Sequence, residues 1–132
     1  MDAAAAARRW AEHWQRDWEA LDTEAIVALY HARAQLSTEP FRVPYSGQDG
    51  VRDYVSHVFG ETADARVWVG EPIVNGDRAA IEWWAAETEN GIETTLAGTS
   101  MLRFDADGLV VEQRDTWNQA HGRREPPAGW GR

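Results

Sequence analysis

The stretch FDADGLVVEQRDTWN, Phe104 to Asn118, decides how the second half of the chain folds. Asp105-Ala-Asp-Gly108 closes a hairpin, and the residues from Leu109 to Gln119 then alternate as a strand does. Because strand side chains point to opposite faces in turn, Leu109, Val111, Gln113, Asp115 and Trp117 share one side. Val110, Glu112, Arg114, Thr116 and Asn118 take the other. Asp115 therefore falls on the apolar side, where a carboxylate is costly unless it is paired, hydrogen-bonded or turned toward a cavity. Two roles are open to it. It is either a pocket acid, whose pKa a low-dielectric cleft raises into a catalytic range, or a structural anchor for Arg103, Arg33 or an indole N–H.

Working back from this strand, the alternating period extends to Ala65. Ala65 to Val74 is predicted as one strand, Asn75-Gly-Asp77 as a turn, Arg78 to Glu89 as the next strand, and Asn90-Gly91 as the turn into Ile92 to Phe104. Within Arg78–Glu89, parity sends Trp83 inward with Ala79, Ile81 and Ala85, and Trp84 outward with Glu82. Glu87-Thr-Glu-Asn90 reads as a solvated hairpin end. Upstream the period is helical: Ala3, Ala7, Trp10, Trp14, Trp18 and Leu21 form the apolar stripe of a first helix. Asp22-Thr23 offers an N-cap for a second over Glu24 to Tyr30, and Val51, Tyr54, Val55, Val58 and Phe59 mark a third that ends near Gly60. Ala34 to Thr38 is a short strand stopped at Glu39-Pro40. Three helices followed by an antiparallel meander specify an α+β fold with the helices on one sheet face. Residues 120–132 form an irregular tail anchored by Trp130.

At 132 residues the chain is expected to be one domain, 1–132, long enough to bury a substantial core. Acidic side chains outnumber basic ones, 22 to 13, and no basic block exceeds Arg123-Arg124, so neither nucleic acid nor an anionic membrane is an expected partner. No apolar run approaches the roughly 20 residues of a membrane helix. The alanine run near the start carries Asp2 before it and Arg8-Arg9 after it, the reverse of a secretion signal. The absence of cysteine removes thiol nucleophiles and thiolate zinc sites, and suits a reducing cytoplasm. His13, His31, His57 and His121 are scattered without ligand spacing, and no phosphate-binding glycine loop or nucleophile elbow is present, so no metal or other cofactor is expected.

The order of elements, together with IVALYHARAQLSTEP (Ile26–Pro40), Gly47 at the opening of the third helix and the closing FDADGLVVEQRDTWN, resembles the superfamily of nuclear transport factor 2, ketosteroid isomerase and the SnoaL-like polyketide cyclases. The resemblance runs from about Ala6 to Gln119. It implies a cone in which the three helices and a curved, mainly antiparallel sheet enclose a ligand pocket, and it places Asp115 where the acid of the last long strand points inward. Aligned through IVAL, Glu39 lies near the base of the isomerases and Trp14 replaces their tyrosine. An indole donates a hydrogen bond but exchanges no phenolic proton, which favours the SnoaL-like branch.

The expected function is cofactor-independent acid/base chemistry, an isomerase, cyclase or hydrolase acting on an apolar small molecule, with Asp115 and Glu39 as the catalytic candidates. Trp14, Tyr30, Tyr54, His57, Phe59, Trp83, Val111, Gln113 and Trp117 are the candidate ligand-binding residues. An outward Trp84 beside Thr95 and Arg114 suits a homodimer through the outer sheet face. The alternatives are a non-catalytic ligand-binding or association module, and a dimeric scaffold with a filled interior.

Overall fold

The computed structural model describes residues 1–132. The first helix, α1 (Ala3–Ala20), is opened by Asp2, whose side chain accepts a hydrogen bond from the Ala5 N–H at 2.8 Å, and closed by Leu21 in a left-handed conformation. Ala6, Ala7, Trp10 and Trp18 return every three or four residues and are buried. α2 (Thr23–Val27) is one turn capped by Asp22. It ends short of the expected Tyr30, which instead begins a strand, β1 (Tyr30–Ser37). The tertiary pairing decides this: Tyr30 lies opposite Val110 of the last strand, and the Val110 N–H donates to the Leu29 carbonyl at 2.9 Å.

A short strand, β2 (Tyr45–Ser46), leads into α3 (Gly47–Gly60), which starts four residues before Val51. Gly47 has φ of +71° and sits so close to the Ala32 carbonyl that a Cβ there would lie 3.0 Å from it, so both backbone angle and space require glycine. The single strand expected over Ala65–Val74 is two: β3 (Thr62–Val69) and β4 (Ile73–Asn75). Pro72 lies in the break and has no N–H to give a ladder. Then follow β5 (Arg78–Glu89), β6 (Ile92–Phe104) and β7 (Val110–His121), the last two residues longer than its alternation suggests.

The seven strands make one mixed sheet ordered β2-β1-β7-β6-β5-β3, with β4 on β5. Every pairing is antiparallel except β1 with β7. The three helices pack on the inner face of this sheet, the α+β cone, and the core lies between them, with Ile26, Tyr30, Leu36, Val51, Ile81, Leu102 and Val110 fully enclosed. On the outer face Trp84 is half-buried, because the tail brings Trp130 against it with ring centroids 6.5 Å apart. The Gly131 carbonyl also accepts from the Glu71 N–H at 2.7 Å. The apolar surface expected to be bare at Trp84 is thus covered in part by the chain's own C-terminal residues.

Candidate functional site

A cavity of about 250 Å³ opens between the helices and the sheet. Three indoles of α1 line one wall. Trp10, Trp14 and Trp18 recur at intervals of four, so they share a stripe about 12 Å long, with centroids 5.6 and 5.8 Å apart. Trp18 meets Trp83 of β5 at 5.7 Å. Phe59 and Val55 of α3 add apolar wall, and Thr38, Glu39, Tyr45, His57 and Trp117 also line the cavity.

Asp115 is buried, 8% exposed, and lines the cavity. One of its oxygens, Oδ1, accepts two hydrogen bonds, from Ser100 Oγ at 2.6 Å and from Gln113 Nε2 at 3.0 Å. Each donor is held from behind. Ser100 accepts from the Trp83 indole at 3.0 Å. Gln113 accepts through its Oε1 from the Tyr30 hydroxyl, which accepts from the indoles of Trp10 and Trp14, both at 3.3 Å. An indole can only donate, so the polarity of the whole array is set: protons point from the tryptophans through Tyr30 and Gln113, and through Ser100, onto Oδ1. Oδ2 takes no hydrogen bond from the protein and is the oxygen left for the cavity. Burial pushes the Asp115 carboxyl up to about 6, against the opposing pull of the Ser100 and Gln113 hydrogen bonds.

The other residues singled out from sequence divide by position. Trp14, Tyr54, Phe59, Trp83, Gln113 and Trp117 line the cavity with Asp115. Tyr54 is half-buried, and its enclosure, with the Asp115 charge second, raises its pKa. Glu39 and His57 also line the cavity, but both are exposed, and His57 lies 3.6 Å from Glu61. Tyr30 is fully buried behind Gln113 and does not reach the cavity surface; desolvation raises its pKa. Val111 does not line the cavity either. The register slips between Arg103 and Phe104, which face Glu112 and Val110, so Val111 is a bulge residue and Val110 takes the inward place.

Among the cavity residues that escaped the sequence reading, three bear on its chemistry. Ser100 becomes visible only with the β6–β7 register, which sets it opposite Asp115. Glu87, read as part of a solvated hairpin end, is 1% exposed and lines the cavity with Thr62 of β3. The signal for it was present, since Ala79, Ile81, Trp83, Ala85 and Glu87 share one parity and all are buried. Trp18, taken as packing, also lines the cavity, close to Glu87. No three His, Cys, Asp or Glu side chains gather as a metal site, and no helix is long and apolar enough to cross a membrane.

Comparison with solved structures finds the same fold at low identity. The epoxide hydrolase/cyclase-like enzyme SalBIII, described for pyran ring formation in the polyether salinomycin, superposes with a TM-score of 0.75 at 15% identity, covering 87% of this chain and 96% of its own. RV0760c of Mycobacterium tuberculosis gives 0.74 at 17%, covering 89% and 96%. A hypothetical protein with a ketosteroid isomerase-like fold from Catenulispora acidiphila, in complex with trimethylamine, gives 0.72 at 14%, covering 81% and 83%. No curated protein matches by sequence. The family model of the SnoaL-like domain matches residues 7–113, most of the chain, and with the helices-on-sheet cone described above this makes the protein a member of the SnoaL-like family, within the nuclear transport factor 2-like superfamily.

Proposed function

We propose that this protein is a cofactor-independent acid/base catalyst, an isomerase, cyclase or hydrolase, that acts on an apolar small molecule held in the cavity. The observation that carries the reading is the asymmetry of Asp115, with Oδ1 saturated by two fixed donors and Oδ2 free. Such a carboxyl is locked in orientation and exchanges a proton through one oxygen only. A value near 6 lets it both take and return that proton near neutral pH. The indoles of Trp14, Trp18 and Trp83 and the ring of Phe59 supply an apolar surround that keeps water from competing for it. Glu39 and Tyr54 are the further polar groups that such a ligand would meet. Likeness in fold to an epoxide hydrolase/cyclase-like enzyme supports this class of chemistry. The reading extends to a homodimer through the part of the outer sheet face that the tail leaves open, around Met101 and Thr116; the mass of the native protein in solution checks it.

A second reading has an observation of its own. An acid joined to Ser100, Gln113, Tyr30 and three indoles is also what a purely structural anchor looks like. The substitution Asp115→Asn separates the two. Proton abstraction from 5-nitrobenzisoxazole needs only a base in an apolar pocket. We expect the wild type to accelerate it with a rate that rises with pH through about 6, and Asp115→Asn to lose roughly a hundredfold or more while melting as a folded protein. Equal rates in both proteins would overturn the catalytic reading. A variant that unfolds would favour the anchor.

A further inference from the structure

At the other end of the cavity from Asp115 stand two buried polar atoms with no partner, Glu87 Oε1 and Trp18 Nε1. Both residues line the cavity and are more than nine-tenths buried, at 1% and 7% exposure. Such orphans are rare in folded proteins and each lowers stability unless something fills the place. The Trp18 indole lies near enough to hold the Glu87 pKa down, yet the two make no hydrogen bond of acceptable geometry.

The neighbouring Thr62 engages the other oxygen of Glu87. Its one hydroxyl proton has two acceptors within reach, the Val58 carbonyl at 2.8 Å and Glu87 Oε2 at 3.2 Å. Thr62 thus serves Oε2 of Glu87 and leaves Oε1 without a protein donor. Burial pushes Glu87 up to about 7, against the pull of Thr62 and Trp18. Oε1 is then a bare acceptor beside a bare donor, and the group complementary to both at once is a hydroxyl, which accepts from an indole and donates to a carboxyl oxygen. Along β5, Glu87 stands six positions from Ile81, which faces Ser100, which in turn faces Asp115. That is about 20 Å along the strand backbone, so the two carboxyls enter the cavity at different places.

We propose that Glu87 and Trp18 form a second polar subsite, which binds a hydroxyl of the ligand at the end of the cavity remote from Asp115. This rests on the reading of the cavity as a small-molecule site and makes the ligand a hydroxylated apolar compound.

Matched probes test it: 2-naphthol against 2-methylnaphthalene, and cyclohexanol against methylcyclohexane, titrated calorimetrically into the full chain. The wild type should prefer the hydroxyl member of each pair roughly tenfold. Trp18→Phe and Glu87→Leu should bring the two members of each pair to equal affinity, whatever their absolute affinities, and a cooperative melt of each variant reports that it folds. Glu87→Gln, which retains an acceptor, should keep the preference, and so should Asp115→Asn. Equal binding of both members by the wild type, as a resident water alone would give, overturns the subsite and leaves the cavity reading standing. So does a preference that survives Glu87→Leu and Trp18→Phe, or one that disappears in Asp115→Asn. Failure of every probe to bind overturns both.

Discussion

Glu87 and Asp115 carry the same physics: each is an acid taken out of water with fewer partners than a carboxylate needs, and desolvation raises both, to about 7 and about 6. The folded state therefore holds protons that the unfolded chain releases above about 4. Since stability changes with pH as the difference in bound protons, unfolded minus folded, the slope is negative between the ordinary carboxyl values and the folded ones. The protein should melt several degrees higher at pH 5 than at pH 8. Asp17 does not offset this within that window: hydrogen bonds from Arg16 and His13 hold it below its usual 3.8 despite its burial, so its contribution is lost only at lower pH. Glu87→Gln, which mimics the protonated acid, should flatten the trend and raise the melting temperature at pH 8; an unchanged slope would mean that Glu87 is charged in the fold. Of these two acids only Asp115 was legible in the sequence as a misplaced charge, because its neighbours Val111 and Trp117 are large and apolar. Glu87 was masked by Glu89 and the Asn90-Gly91 turn beside it, which look like solvent-facing residues.

At the level of elements, helix stripes and hairpin turns were readable because each rests on local spacing, whereas boundaries set by distant partners were not. Tyr30 reads as helix by its neighbours and is strand because β7 lies beside it. Val111 reads as inward by parity and is displaced by a bulge that no single strand announces. Gly98 of β6 shows what such cross-strand geometry demands. It stands between Trp83 of β5 and Trp117 of β7, and a Cβ there would collide with the Thr116 carbonyl and meet Trp117 Cβ at 2.7 Å and the Trp83 ring at 2.9 Å. Two of those atoms belong to or adjoin the backbone and have no room to give. Gly98→Ala should cost about 1–3 kcal/mol, read as a lower denaturant midpoint at constant slope. By tilting Trp83 it should also weaken the contact with Ser100 and so reduce ligand affinity. A neutral substitution would show that the strands are free to part.

For the molecule as a whole, the class of architecture was legible from the switch between a helical and an alternating period after Ala63, and the sequence motifs led to the right superfamily. What local signals could not supply was the path of the ends: the parallel join of β1 to β7, and the return of Trp130 over Trp84. That parallel join has a kinetic meaning. Tyr30 meets Val110, and Ser37 meets Arg114, across some eighty residues of intervening chain. Contacts of such separation slow folding, so refolding from denaturant should take milliseconds to seconds, and Tyr30→Phe, which removes the hydroxyl behind Gln113, should destabilise the native state. A refolding time in microseconds would contradict this. For a chain leaving the ribosome, the same topology means that the first strand, paired early only with the two-residue β2, waits some eighty residues before β7 exists. Asp115 arrives with β7, so the cavity acquires its buried carboxyl only when that strand joins the sheet, and a fragment ending before β7 lacks it.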